Sequence, residues 1–280
     1  MAQYGATPSE HIRPPAAAGR FYPADPAPLR DLIGALLAQA PPATGPAPKA
    51  IIAPHAGYIY SGPIAASAFA QLAPARDTTH RVVLLGPSHF VAVEGLAASS
   101  AQAFATPLGP VLLDVEALRQ ISSLPQVKVL DEAHEREHSL EVQLPFLQTV
   151  LSQFKLLPLA VGDASAAEIG QVLEALWGGP ETRFVISSDL SHYYDAQTAQ
   201  RLDRATAKAI EALKPDGIGS DQACGRIPIR GLLESARRHG LRARTVDLRN
   251  SADTAGPRDQ VVGYGAFVFE EPSSSSSSSW

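Results

Sequence analysis

Short, uniformly apolar runs alternate along the chain with longer segments in which apolar residues recur at helical spacing. The apolar runs are residues 50–53, 82–85, 156–161 and 184–187. They are too short and too apolar for amphipathic helices, so each predicts a β-strand that is buried on both faces. Helices between buried strands are typical of a parallel sheet, and the pattern therefore predicts an α/β fold.

Helical periodicity predicts helices over residues 26–40, 64–72, 115–121, 138–152, 165–177, 195–213 and 228–239. In the first of these, Leu29, Ile33 and Leu36 share one face. Pro145 has no N–H to donate, so it must lie in the first turn of its helix or kink that helix. Ser165 is suited to cap the helix that follows it.

The remaining apolar segments predict further strands. Weaker candidates are residues 95–99, 110–113 and 127–130, and two closing strands cover residues 242–248 and 261–269. In the last segment Val262, Tyr264, Ala266 and Val268 occupy alternate positions, which predicts an antiparallel, half-buried strand at an edge of the sheet.

No linker-like break divides the chain, so we expect one α/β domain over residues 16–271. Its central sheet would be largely parallel or mixed, with helices on its faces. Residues 1–15 mix polar residues with prolines and predict a flexible lead-in. Residues 272–280 contain a serine run of low complexity and predict a disordered tail.

Composition narrows the classes of partner. The 280 residues carry a formal net charge of −5, with no basic stripe, which argues against nucleic acid. No apolar stretch approaches the roughly 18–20 residues that a membrane span needs, and the first 15 residues lack the apolar region of a signal peptide. Cys224 is the single cysteine, so no internal disulfide can form and a reduced, cytoplasmic setting is expected.

Three predicted strands are each followed by a histidine. His55, His89 and His192 lie two, four and five residues after the runs at residues 50–53, 82–85 and 184–187. Because ligands of open α/β sheets lie at the carboxyl ends of the strands, these residues predict a metal or acid–base site. Each histidine taken alone could instead be a hydrogen-bonded loop residue, and spacing does not show that the three converge.

The most polar segment is residues 131–141. On a helix, His138 and Glu141 would share a face. Glu135 and Glu137 are interpreted as the solvated start of that helix, where acidic residues complement the dipole. His138 precedes apolar positions, and a role in a site and a structural role are both open to it.

Two other residues could carry chemistry. Asp189 lies three residues before His192 and could orient an imidazole or cap the next segment. Cys224 stands between a loop and a predicted helix, flanked by Gly225 and Arg226. This setting lowers the pKa of a thiol and favours the thiolate, which is both a nucleophile and a soft metal ligand. A small buried apolar role is the alternative.

At these residues the sequence resembles the Memo family, known in bacteria as protein B of the AmmeMemoRadiSam system. The resemblance extends from Arg13 to Ala266. It is carried by five blocks, Ala-Pro-His55-Ala-Gly-Tyr58, Leu-Gly-Pro-Ser-His89, Glu-His138-Ser-Leu-Glu141, Ser-Ser-Asp189-Leu-Ser-His192 and Ala-Cys224-Gly-Arg226.

The resemblance implies a fold similar to that of class III extradiol dioxygenases, which hold non-haem Fe(II) with two histidines and a carboxylate. His55 and His89 match the histidine ligands, and Cys224 falls where those enzymes keep the carboxylate. His192 matches their acid–base histidine, and His138 would line the same pocket. Fe(II) is the metal that the resemblance favours, and the cysteine makes copper or zinc an alternative.

Three functions are therefore open. The first is a metal-dependent oxidoreductase acting on a small molecule or peptide, in which His192 moves a proton with support from Asp189 and His138. The second is a non-catalytic module that binds a peptide or protein, working with radical SAM and AMMECR1-like proteins. The third is a hydrolase that uses zinc-bound water or the thiol of Cys224, with His192 or His55 as the base.

Overall fold

Strands and helices alternate through residues 11–272, the part of the chain that the structure, a computed structural model, describes. The strands are β1 (Ile12–Arg13), β2 (Ala50–Ala53), β3 (Arg81–Pro87), β4 (Leu96–Ala98), β5 (Ala103–Thr106), β6 (Gly109–Leu112), β7 (Val127–Val129), β8 (Lys155–Val161), β9 (Thr182–Ser187), β10 (His192–Tyr194), β11 (Arg242–Asn250) and β12 (Val261–Glu270). The α-helices are α1 (Pro26–Gln39), α2 (Tyr58–Phe69), α3 (Val115–Ile121), α4 (Glu132–Glu135), α5 (Leu144–Val150), α6 (Ala166–Ala175), α7 (Ala196–Glu211) and α8 (Arg226–Arg238). Among the described helices, none has the length and apolar character that a membrane crossing requires.

The main sheet has the order β10-β12-β2-β9-β3-β8-β4-β7, and β11 also pairs with β12. The four central strands, β2, β9, β3 and β8, are parallel. On one side β12 is antiparallel to β2, and on the other β4 is antiparallel to β8. A smaller sheet joins β1, β5 and β6. The predicted α/β domain with a mixed sheet, parallel at its centre, is confirmed.

The central strands are buried on both faces. In β2, Ile51 and Ala53 belong to a core that includes α1, α2 and α5, whereas Ala50 and Ile52 pack with α3, α6, α7 and α8. This two-sided burial explains why the strand sequences are continuous apolar runs without polar alternation.

The last strand differs from its prediction. β12 is antiparallel, as expected, but it lies inside the sheet and is almost entirely buried, and β11 lies outside it. Its two glycines, Gly263 and Gly265, are buried and do not face solvent. A Cβ on Gly263 would lie 2.0 Å from Oδ2 of Asp203 on α7, so this position is a glycine because the helix packs directly against the strand.

Two helix predictions are corrected. Residues 138–152 do not form one helix, because a 3₁₀ turn over Glu141–Gln143 precedes α5, and Pro145 lies in the first turn of α5. The helix predicted over residues 64–72 begins at Tyr58 instead. The glycine and proline at residues 62 and 63 resemble a stop signal, yet a Cβ at residue 62 would come within 2.9 Å of Leu36, so close packing on α1 accounts for the glycine.

The predicted lead-in takes part in the fold. Ile12–Arg13 pairs with β5 in parallel, and the side chain of Arg13 is buried, so residues 12 and 13 are not a flexible segment. The rest of the lead-in up to residue 10, and residues 273–280 of the predicted tail, lie outside the described residues.

Candidate metal site at the carboxyl edge of the sheet

The carboxyl ends of β2, β9 and β3 deliver polar side chains to one edge of the sheet. His55 follows β2 by two residues, Asp189 follows β9 by two, and His89 follows β3 by two. These three strands are neighbours and parallel, so the residues after them meet at the same edge. A cleft of about 870 Å³ opens there, and its lining includes His55, His89, His138, Asp189, His192 and Cys224.

Three imidazoles form the centre of the cleft. One ring nitrogen from each of His55, His89 and His138 lies within 4.8 Å of the other two. The rings of His89 and His138 are stacked at 4.9 Å between centroids, and the ring of His55 stands nearly perpendicular to both, at 75° and 88°. These side chains could hold one metal ion.

His55 is the most deeply placed of the three, with 2 % of its surface exposed. Its backbone N–H donates to Oδ1 of Asp189 at 2.7 Å, and its Nδ1 lies 2.8 Å from Oγ of Ser187. Burial lowers the pKa of His55 to about 3, so the ring is neutral. A neutral imidazole is the form that binds a metal.

Glu137 holds His89. One carboxylate oxygen accepts the backbone N–H of His89 at 2.6 Å, and the other lies 2.9 Å from its Nδ1. Burial alone would raise the pKa of Glu137, but the hydrogen bonds and charge of His89 outweigh it and lower that pKa to about 2. The interpretation of Glu137 as part of a solvated helix start is therefore wrong, since the residue is 1 % exposed. The signal that could have found it is the Glu-His-Ser-Leu-Glu block, in which it stands beside His138.

His138 is the third histidine of this group. The ring of Phe21 lies 4.4 Å from that of His138, and burial lowers the pKa of His138 to about 4. Because no helix covers residues 138–140, His138 and Glu141 do not share a helical face. Glu141 instead makes contacts with the N-terminal segment.

Arg13 and Glu141 fix the loop that carries Glu137 and His138. Glu141 is fully buried. Its carboxylate accepts hydrogen bonds from the guanidinium of Arg13, the N–H groups of Ala16 and Ala17, and the hydroxyl of Tyr22. The guanidinium also donates to the carbonyl oxygens of His134 and Glu137, at 2.8 and 2.7 Å. The pair thus joins the start of the fold to the candidate site, a role that the sequence did not indicate for Arg13.

Cys224 lies beside His55, with Sγ 3.3 Å from its Nε2. The backbone N–H of Asp189 donates to the sulfur at 3.3 Å. Although Cys224 keeps some contact with the cleft, burial and the nearby Asp189 raise the pKa of its thiol to about 12. The expected lowering by the following helix is therefore wrong for the metal-free protein, because desolvation of the thiolate outweighs it.

Asp189 and His192 are both in the cleft but are not paired by a hydrogen bond. Asp189 binds the backbone of His55, and burial raises the pKa of its carboxyl group. Nδ1 of His192 lies 2.8 Å from the carbonyl oxygen of Leu190, which can only accept, so Nδ1 carries a proton, and in the neutral form of the ring Nε2 has the lone pair. The carbonyl of Leu190, and not Asp189, therefore orients this imidazole. Asp195 is the residue that caps the following helix.

The donor set suits a metal ion. Two of the three histidines are neutral through burial, and the third is held by a carboxylate, which is a common arrangement around metal-binding histidines. The predicted ligands are His55, His89 and Cys224, whereas the tightest histidine group contains His138. Both sets share His55 and His89.

A second cleft is larger, about 1170 Å³, and lies elsewhere. Its lining includes Arg81 and Lys155, the first residues of β3 and β8, so it lies at the amino edge of the sheet. None of the six predicted site residues lines it. The site at the carboxyl edge is therefore identified by the metal-binding and ionisable side chains that line it, and not by the volume of its cleft.

The comparisons with known proteins all identify the same family. A family model described as Memo-like protein matches residues 13–268. A MEMO1 family protein of Aquifex aeolicus is 37% identical over 269 residues, covering 92% of this chain and 99% of its own. One from Aeropyrum pernix is 37% identical, with 91% and 98% covered, and one from Nitrosopumilus maritimus is 31% identical, with 92% and 99% covered. The chain therefore belongs to the Memo family.

Proposed function

We propose that this protein is a mononuclear metal-dependent oxidoreductase whose substrate binds in the cleft above His55, His89 and His192. The observation that carries the proposal is the group formed by His55, His89 and His138, whose ring nitrogens lie within 4.8 Å of one another. Fe(II) is the proposed metal, because the resemblance to class III extradiol dioxygenases favours it and because two histidines with one further ligand leave positions open for small molecules. When bound, such an ion would supply one-electron and dioxygen chemistry.

The residues of the chain have separate tasks in this proposal. His55 and His89 hold the ion, and the third position is open to His138, whose ring contacts both of theirs, or to Cys224, whose Sγ lies 3.3 Å from Nε2 of His55. His192 lines the same cleft with its Nε2 lone pair available, so it can accept a proton from a bound substrate. Glu137 keeps the ring of His89 in place.

A zinc hydrolase is the second candidate, because three histidines with an open position are also the ligand set of zinc enzymes that activate water. His192 would then act as the general base. A hydrolase that uses Cys224 as its nucleophile is disfavoured in the metal-free protein, since a thiol with a pKa of about 12 is not a thiolate at neutral pH.

Metal analysis after anaerobic purification tests the proposal. We expect about one iron per chain in the wild type, dioxygen uptake with a reductant, and loss of both in His55→Ala. His80→Ala is the matched control, because His80 is an exposed histidine in the lining of the other cleft. Wild-type protein that binds no metal would overturn the proposal. Stoichiometric zinc with hydrolytic activity and no dioxygen uptake would favour the second candidate.

A further inference from the structure

The ring of His55 contacts the fully buried hydroxyl of Ser187. Ser187 is the last residue of β9, and its Oγ has three polar neighbours. These are the carbonyl oxygen of Ser139 at 2.6 Å, Nε2 of Gln143 at 2.8 Å and Nδ1 of His55 at 2.8 Å. Ser139 and Gln143 are also fully buried, so bulk solvent does not contact these partners.

The protons of this group can be assigned by counting donors and acceptors. A serine hydroxyl has one proton to donate and two lone pairs that accept. The carbonyl oxygen of Ser139 can only accept, so the hydroxyl proton points to it. The amide nitrogen of Gln143 can only donate, which occupies one lone pair. The remaining lone pair faces Nδ1 of His55, and that nitrogen must therefore carry a proton.

The orientation of the Gln143 amide is itself determined. Its Nε2 also donates to the carbonyl oxygen of Pro54 at 3.0 Å. Rotating the amide by half a turn would set its oxygen against this carbonyl oxygen, two acceptors with no proton between them. Nε2 of Gln143 therefore stays on the side of Ser187.

We infer that Ser187 and Gln143 are positioning residues that hold His55 in the tautomer with the proton on Nδ1. The lone pair is then on Nε2, the nitrogen that lies 3.3 Å from Sγ of Cys224. The opposite tautomer would place an N–H there and leave two lone pairs facing each other at Ser187. The consequence for metal binding rests on the proposed function, whereas the tautomer does not.

Nitrogen NMR of the imidazoles in chelator-treated, metal-free protein tests the tautomer directly. We expect the proton of His55 on Nδ1 in the wild type, and a population with the proton on Nε2 in Ser187→Ala. Ser235→Ala is the control, because Ser235 is also fully buried and its hydroxyl makes no hydrogen bond within residues 11–272. A wild-type spectrum with the proton on Nε2 overturns the inference, even if the variant does not fold.

Zn(II) binding by chelator competition gives the second measurement. We expect Ser187→Ala to weaken binding by roughly 10- to 100-fold, as for other residues that orient metal-binding histidines, and Ser235→Ala to leave it unchanged. Equal affinity in Ser187→Ala and the wild type would contradict the positioning role. A wild type that binds no metal but has the proton on Nδ1 would refute the proposed function and leave the tautomer assignment standing.

Discussion

Glu137 contacts His89 at two points. One carboxylate oxygen accepts the backbone N–H of His89 at 2.6 Å, and the other lies 2.9 Å from its Nδ1. The carboxylate is buried, and it also accepts the backbone N–H of Ser139 at 2.9 Å, which fixes its orientation toward His89. A negative partner fixes the ring and makes the other nitrogen a better ligand. The contact joins residues 48 positions apart and is the clearest support for His89 in the candidate site.

We expect Glu137→Gln to weaken metal binding by about 10- to 100-fold, because the amide cannot supply the negative charge that strengthens His89 as a ligand. Chelator competition with Zn(II) or Fe(II) measures this change. Glu135→Gln is the control, since Glu135 is exposed and two residues away. Similar losses in both variants would contradict the role assigned to Glu137.

Replacement of Arg13 should destabilise the whole protein. We expect Arg13→Met to reduce the free energy of unfolding by about 3–5 kcal/mol, because it leaves the buried carboxylate of Glu141 without its counter-charge. Urea denaturation measures the loss. In the control, Arg119→Met removes an exposed ion pair with Glu116 and should change stability by less than about 1 kcal/mol. Equal effects of the two substitutions would show that Arg13 does not fix the loop.

Asp203 should make stability depend on pH. Burial raises its pKa from 3.8 to about 6, although the N–H of Ser191 donates to its carboxylate. A carboxyl group with a raised pKa in the folded state stabilises the fold below pH 3.8, and this contribution is lost as the pH rises through about 6. The loss is roughly 3 kcal/mol, at about 1.4 kcal/mol per pKa unit.

The variant Asp203→Asn mimics the protonated form and should not show this loss. Urea denaturation of the wild type and the variant, both metal-free, from about pH 4 to pH 7 measures the difference. We expect the free energy of unfolding of the variant to increase relative to that of the wild type as the pH rises over this window. Parallel pH profiles would contradict the raised pKa of Asp203.

Cys224 should react slowly in the folded, metal-free protein. With a thiol pKa of about 12, only a very small fraction is thiolate at pH 8, so alkylation by iodoacetamide should be at least about 100-fold slower than for a free thiol. Mass spectrometry follows the reaction without ambiguity, because the chain has one cysteine. The denatured protein should react at the ordinary rate. Fast labelling of the folded protein at pH 8 would show that the thiol is activated.

The sequence alone was sufficient for the centre of the fold. The runs that became β2, β3, β8 and β9 are apolar throughout because helices cover both faces of the sheet, and this property is local. It was insufficient for β12, which was predicted as a half-buried edge strand but lies buried inside the sheet. Gly263 is small because Asp203 of α7 lies against it, and that contact comes from a distant part of the chain.

The same division holds for the candidate site. His55 and His89 follow β2 and β3, parallel strands separated only by β9, so strand direction brings them to one edge. The partners that define their chemistry are distant in sequence: 128 residues separate Arg13 from Glu141, 48 separate Glu137 from His89, and 132 separate Ser187 from His55. Burial also raises the pKa of the Cys224 thiol, whereas the sequence predicted a lowered pKa. Sequence determined which residue types reach the edge, and tertiary packing decided their partners and protonation, because desolvation and hydrogen bonding depend on everything that folds around a group.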